Sequence, residues 1–198
     1  MTDLRIERGK ATRDRLVAAG RKLFGERGYD ATPIDAILDM AGVKRGALYH
    51  HFETKAALFD AVLDQVIADS AAIAADDARG ASGPVASLQA ACDAWLRMSL
   101  DPSVQRIALL DPPAVVGWTR WREIDEQHTL GGLRRSLERI AADGGLPQEE
   151  VDVLAHMLLA AVSEAALMIA RAEDPEAALA AGRAAMATLL GRLIGEPS

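Results

Sequence analysis

The sequence is poor in the residues that staple chains, build sheets or anchor proteins in membranes. One cysteine, Cys92, stands in 198 residues, so no internal disulfide can form. The thiol reads as a small core residue in a chain of a reducing compartment. Aromatic residues make up 4% of the chain, and with alanine abundant this favours close-packed helices over a β-sandwich. No convincing alternating strand of five or more residues occurs, and no internal repeat. The opening decapeptide, MTDLRIERGK, has no apolar signal region. The longest apolar stretch, VLAHMLLAAVSEAALMIARA at 153–172, contains His156, Ser163, Glu164 and Arg171. It fits a buried helix of a soluble protein better than a membrane span. Also missing are a glycine-rich phosphate loop, an activated serine or cysteine constellation and a His-Glu zinc motif. Together these absences predict a soluble, cytoplasmic, all-α protein that is not an enzyme, needs no cofactor and has no membrane partner.

Lysine is absent after residue 55: the four lysines are Lys10, Lys22, Lys44 and Lys55. The net charge of -7 hides this asymmetry. Residues 1–55 carry eleven basic against eight acidic side chains, a net of +3, whereas 56–198 carry eleven arginines against twenty-one acids, a net of -10. A small basic module on an acidic body suggests that only the module meets a polyanion.

Helical periodicity organises the chain. A first helix is predicted from about Thr12 to Arg27, with Leu16, Val17, Leu23 and Phe24 at helical spacing. Arg8 and Lys10 ahead of it read as a loose arm. Thr32-Pro33 is expected to open a second helix, with Thr32 as cap and Pro33 at the first helical position. Ile34, Ile37, Leu38 and Ala41 follow at i, i+3, i+4 and i+7, and Gly42 stops the run. A third short helix is predicted from about Lys44 to Phe52, with Val43, Leu48 and Phe52 inward and Lys44, Arg45, Ala47, Tyr49 and His50 largely outward. Two short helices around a glycine turn form a helix-turn-helix pattern, here at about 33–52. Thr54 restarts a helix at Lys55 that continues to about Asp77. After the break RGASGP at 79–84, helices are expected at about 84–100, 103–116, 118–143, 148–172 and 175–195, with Pro112-Pro113 kinking or splitting the second of these.

TPIDAILDMAGVKRGALYHHFETKAALFDAVL, residues 32–63, together with ATRDRLVAAGRKLFGERGYDAT, residues 11–32, resembles the DNA-binding module of the TetR family of transcriptional regulators. The signal is joint: a glycine, an aromatic followed by His-Phe, and a basic residue before the next apolar helix. The resemblance implies a three-helix DNA-binding module at 10–56, followed at 57–198 by a larger helical effector-binding and dimerisation domain. The physics of a recognition helix fits these residues. Gly46 and Ala47 are small enough for close approach, and Ala47 suits a thymine methyl. Arg45 suits a two-toothed hydrogen bond to guanine in the major groove. By resemblance, Tyr49, His50 and Lys55 reach phosphates. Thr32 and the amides opening the second helix offer an anion site. The chain departs from the family at Lys44, where a small capping residue such as serine is common. Lys44 therefore caps the third helix less well and adds a possible phosphate contact. His50 and His51 diverge by about 100° on a helix and do not chelate one metal together.

DNA half-sites lie roughly 34–36 Å apart, which suits a symmetric dimer. The resemblance implies a four-helix bundle of the last two helices from each subunit. The expected seam comprises Leu154, Leu158, Val162, Ala165, Met186, Leu189, Leu190 and Leu193. An effector cavity, if the middle of the chain holds one, is expected among Trp95, Met98, Leu110, Trp118, Trp121 and Met157, with His128 or Glu164 as polar handle. The same tryptophans equally suit an aromatic core plug. The resemblance implies a repressor released from its double-stranded operator by a small molecule that displaces the helix carrying Lys55. The competing reading is a helical-bundle metal-carboxylate oxidoreductase, which requires two Glu-x-x-His pairs and further inward carboxylates. Only Asp125-x-x-His128 has similar spacing here, and Asp152 with His156 is a weaker match.

Overall fold

The computed structural model describes the backbone of residues 2–194 and the side chains of residue 7 and residues 9–194. Among these residues there are helices and no strand. In chain order they are α1 (Thr2–Arg27), α2 (Ile34–Ala41), α3 (Arg45–His51), α4 (Lys55–Arg79), α5 (Pro84–Met98), α6 (Pro102–Val104), α7 (Pro112–Val115), α8 (Trp118–Asp125), α9 (Gly131–Ala142), α10 (Val151–Arg171) and α11 (Pro175–Leu193). A π-helical turn at Gln105–Leu110 joins α6 to α7, and another at Glu126–Leu130 joins α8 to α9. The expected splitting at Pro112-Pro113 occurs, because proline there can only start a new helix. Of the final helix predicted to about 195, residue 195 lies outside the described residues.

α1 is longer than its apolar spacing suggested. Residues 2–11 are helical rather than a loose arm. They include Leu, Arg, Glu and Lys, which favour helix without making an apolar stripe. Lys10 is exposed, and the Arg8 side chain lies outside the described residues.

The chain forms two compact units. The first contains the residues up to Val66 together with Pro102–Trp121; the second contains Ile67–Asp101 and the residues from Arg122 onward. In the first, Leu16, Leu23, Phe24, Ile37, Leu48, Leu58, Phe59 and Leu63 are at most 1% exposed. Burying each such side chain contributes on the order of 1.5–3 kcal/mol. Phe24 meets Phe59 edge-on at 5.3 Å, and Tyr29 meets Phe59 edge-on at the same distance. The 102–121 segment is tied down by polar contacts. Asp111 accepts from the Tyr29 amide at 2.8 Å, Arg106 donates to the Gly25 carbonyl at 2.8 Å, and Arg120 grips Asp60 through two bonds of 2.7 and 3.0 Å. Gly25 of α1 permits this approach, since an added Cβ would lie 2.7 Å from the Ser103 Cβ.

In the second unit, Leu88, Leu96, Ile124, Leu137, Ala155, Leu159, Ala166, Ile169 and Leu190 are buried from α5, α8, α9, α10 and α11. Asp174 caps α11 by accepting from the Ala177 amide at 3.0 Å, with Pro175 at the first position, as the sequence suggested. α10 buries one face only: Val153, Met157 and Met168 on the other are 62–65% exposed. By length and composition it passes for a membrane span, but its buried face packs among the helices of the second unit.

Candidate nucleic-acid interface and effector cavity

The turn between α2 and α3 is built by Gly42. Its φ of 63° lies in the left-handed region, where a Cβ is penalised. Its amide donates to the Asp39 carbonyl at 3.2 Å and the Val43 amide donates to the Leu38 carbonyl at 3.1 Å, which closes the end of α2. α3 then stands on two apolar anchors, Leu48 at 0% and Phe52 at 5% exposure. Arg13 of α1 lies over the Phe52 ring at 5.2 Å.

With those anchors inward, the opposite side of α3 faces solvent. Lys44, Arg45, Gly46, Tyr49 and His50 are exposed, and Ala47 is half-buried. Lys44 occupies the cap position without a side-chain capping bond, as its chemistry predicted. Arg45 donates to Asp35 of α2 at 2.5 Å, and this contact raises the guanidinium pKa further. The arginine is charged at any working pH, and its partner is itself exposed. An added Cβ at Gly46 would meet nothing within 4 Å among the described residues, so no contact with them demands glycine there.

Two of the expected contacts stand differently. Lys55 begins α4, but its Nζ lies 4.1 Å over the Tyr29 ring, and partial burial lowers its pKa. Thr54 caps α4 by accepting from the Ala57 amide at 3.0 Å. Thr32 is fully buried. Its hydroxyl donates backward to the carbonyls of Gly28 at 2.7 Å and Leu23 at 3.2 Å. Pro33, not Thr32, is the cap residue of α2, which begins at Ile34. The Thr32 side chain therefore closes the end of α1 and cannot reach a phosphate.

His51 is half-buried against Arg13 and His50. Burial first, and those two neighbours next, lower its pKa, so it is neutral at physiological pH.

The second unit holds a partly open cavity of about 440 Å³. Its walls are six alanines of α4 (Ala68, Ala71, Ala72, Ala74, Ala75 and Ala78), Ala91, Cys92 and Trp95 of α5, Leu133 of α9, and Leu159 and Val162 of α10. Polar groups come from Arg79, His128, Thr129, Arg135, Ser136 and Arg139. Burial, with Asp93 nearby, pushes the Cys92 thiol up to about 12, so it lines the cavity as a neutral group. Behind Thr129, Asp125 is buried and accepts from Ser163 at 3.0 Å and from Thr129 at 3.4 Å.

Only Trp95 and His128 of the expected effector set line this cavity. Trp121 is buried in the first unit, its indole N–H donating to the Ala108 carbonyl at 2.9 Å. Trp118 packs edge-on against Trp121 and is 61% exposed. Leu110 also belongs to the first unit and is partly exposed. Met157 and Glu164 lie on the exposed side of α10, and Met98 lies outside the lining. The sequence reading missed the alanine stripe at 68, 71, 72, 75 and 78, whose helical spacing was legible, and the paired arginines of RRSLER.

Four residues of the expected dimer seam are internal. Leu158, Val162, Met186 and Leu190 are buried within the subunit, because α10 and α11 turn one apolar face inward. Leu154, Ala165 and Leu193 are half-buried and Leu189 is 44% exposed. The outward stripe of α10 is instead Val153, Met157, Ala160 and Met168.

A short helix presented outward behind a glycine turn, joined to a helical unit with a cavity, defines a helix-turn-helix DNA-binding protein with an appended sensor-like domain. The comparisons make this specific. Residues 16–62 match the description "Bacterial regulatory proteins, tetR family", and residues 85–193 match "Tetracyclin repressor-like, C-terminal domain". The chain belongs to the TetR family of transcriptional regulators. It is similar to a TetR-family regulator of Pectobacterium atrosepticum in a crystal structure, with 34% identity, a TM-score of 0.86 and 97% and 98% of the two chains covered. It is 29% identical to the HTH-type transcriptional repressor Rv1474c of Mycobacterium tuberculosis over 84% of this chain and 86% of that protein. It is 27% identical to the transposon Tn10 TetC protein of Escherichia coli over 77% of each. The fold also matches RolR in complex with resorcinol, at 19% identity and a TM-score of 0.72 over 97% of each chain. None of these relatives supports the oxidoreductase reading. Among the described residues no group of three or more His, Cys, Asp or Glu is placed to hold a metal.

Proposed function

We propose that the chain is a homodimeric repressor that reads a double-stranded operator through α3 and releases it when a small molecule enters the second-unit cavity. One observation carries the DNA-reading half. The outward side of α3 is cationic and aromatic around Gly46, whose missing side chain answers no contact with the described residues. Glycine inside a helix costs roughly 0.5–1 kcal/mol relative to alanine, and a duplex approaching closely accounts for it. In this reading Arg45 and Ala47 face base edges, while Lys44, Tyr49, His50 and Lys55 face phosphates. Arg45 exchanges Asp35 for guanine, and Lys55 leaves the Tyr29 ring for the backbone.

The exposed stripe Val153, Met157 and Met168, with Leu189 of α11, supplies the dimer seam. Soluble monomers rarely leave such stripes uncovered. Repression is the activity named for the mycobacterial relative. Small-molecule release follows from the cavity, one wall of which is α4, the helix that begins at Lys55. Coupling of about 1–3 kcal/mol between the two sites suffices for release. The protein acts in the cytoplasm and performs no chemistry of its own.

The test is an electrophoretic shift, then footprinting, on DNA upstream of the protein's own coding sequence. A protected inverted repeat, with shift resistant to excess unrelated DNA, is expected. An intact dimer that shifts all DNA equally at low salt contradicts the reading.

A further inference from the structure

The charge of the cavity lining departs from that of the segment that builds it. Residues 56–198 carry twenty-one acids against eleven arginines. Yet the lining includes Arg79, Arg135 and Arg139 with His128, and no aspartate or glutamate. Arg79 is paired with Asp76 outside the lining. Arg135 and Arg139 are not: among the described residues no carboxylate forms an ion pair with either. Among the described residues Arg139 donates to the Arg135 carbonyl at 3.3 Å and to Ser136 at 3.5 Å. The two arginines are four residues apart on α9, so they share a face one turn apart. The same lining includes the alanines of α4 and Trp95.

We propose that this cavity takes an organic anion, with an aryl or alkyl body against the alanine wall and Trp95 and a carboxylate or sulfonate head held between Arg135 and Arg139. Guanidinium groups bind such oxyanions through paired, charge-assisted hydrogen bonds. Ser136, between the two arginines on α9, also lines the cavity. A neutral molecule brings neither arginine a counter-charge, and a cation is repelled. The volume of about 440 Å³ lies in the lower half of the ~300–1,000 Å³ span of small-molecule sites, which suits one or two rings or a medium alkyl chain. The inference rests on the effector-cavity reading above and adds the chemical class of the effector.

The test uses the full-length protein with two fluorescent probes, the anionic 8-anilinonaphthalene-1-sulfonate and the neutral Nile red, and with phenylbutyrate and phenylbutyramide as competitors. The expected result is saturable sulfonate binding at one site per subunit, displaced by the carboxylate at least about tenfold better than by the amide. R135Q/R139Q weakens the sulfonate probe by about tenfold or more and leaves Nile red unchanged, while R135K/R139K retains part of the affinity. Both positions are exposed, and circular dichroism checks that each variant keeps its helices. Equal binding of charged and neutral probes, unaffected by R135Q/R139Q, overturns the anion inference and leaves the effector cavity standing. Failure of both probes to bind a folded dimer overturns the anion inference together with the effector reading.

Discussion

Replacing Gly46 with alanine separates what the fold wants from what the operator wants. Gly46 is the second residue of α3, and a Cβ there meets nothing within 4 Å. The φ of Gly46 lies outside the left-handed region, so alanine introduces no backbone strain. The change reduces the entropy of the unfolded chain and raises helix propensity, together worth about 0.5–1 kcal/mol. For a chain of this length that amounts to a rise in Tm of roughly 1–4 °C. The new methyl stands on the face proposed to enter the groove, beside Arg45 and Ala47. Holding the helix off by one methyl removes the geometry of a bidentate base contact, which elsewhere discriminates by about 1–3 kcal/mol. Operator affinity therefore falls about tenfold to hundredfold while stability rises. The assays are differential scanning calorimetry at one fixed dimer concentration and fluorescence anisotropy with a labelled operator. A stabilised G46A that binds its operator like wild type refutes the proposed approach of α3. A destabilised G46A refutes the claim that the space beside Gly46 is open.

Three further outcomes follow from single contacts. T32V keeps volume but strips the buried hydroxyl from the Gly28 and Leu23 carbonyls, costing about 1–3 kcal/mol in urea unfolding. Operator affinity per folded dimer stays unchanged, and a selective loss of DNA binding would show that Thr32 contacts phosphate after all. At Asp125, burial raises the carboxyl pKa against the opposing pull of Ser163, Arg122 and Thr129. Its folded pKa exceeds its unfolded one, so its ionisation penalty is full above the folded value and fades as pH falls through it. Wild type therefore gains stability relative to D125N as pH falls from neutral through the raised folded pKa in paired urea titrations, and a flat or reversed difference contradicts this. M157E/M168E places like charges on the α10 stripe. Analytical ultracentrifugation is expected to show monomer with undiminished helicity, and a persistent dimer moves the seam elsewhere.

The helix-turn-helix was legible because its determinants are local. Ile34, Ile37, Leu38 and Ala41 mark one face of α2, Gly42 marks its end, and Leu48 with Phe52 marks the inward side of α3. What was illegible depended on partners distant in sequence. Thr32 has the chemistry of a helix cap, and only the end of α1 folding behind it turns its hydroxyl the other way. The start of α1 carries no apolar stripe, so periodicity passed over it. Trp121 and Trp95 look interchangeable as aromatic liners, yet one is fixed in the first unit by the Ala108 carbonyl and the other faces the cavity. In α10 and α11, alanine and leucine occur all round the helix, so composition could not divide the inward residues Leu158, Val162, Met186 and Leu190 from the outward stripe. The π-helical turn at Glu126–Leu130 shifts the helical phase just where His128 and Thr129 reach the cavity, which no regular 3.6-residue count anticipates.

The most direct measurement of the central claim is selection of duplexes from a randomised library by wild-type protein and by R45Q. Wild type is expected to enrich an inverted repeat whose half-sites lie about one helical turn apart or a multiple of it. R45Q should enrich the same repeat with its preference relaxed at one symmetric pair of positions. Identical preferences for the two proteins, or no enriched sequence from a folded wild-type dimer, would contradict the claim that the outward side of α3 reads DNA.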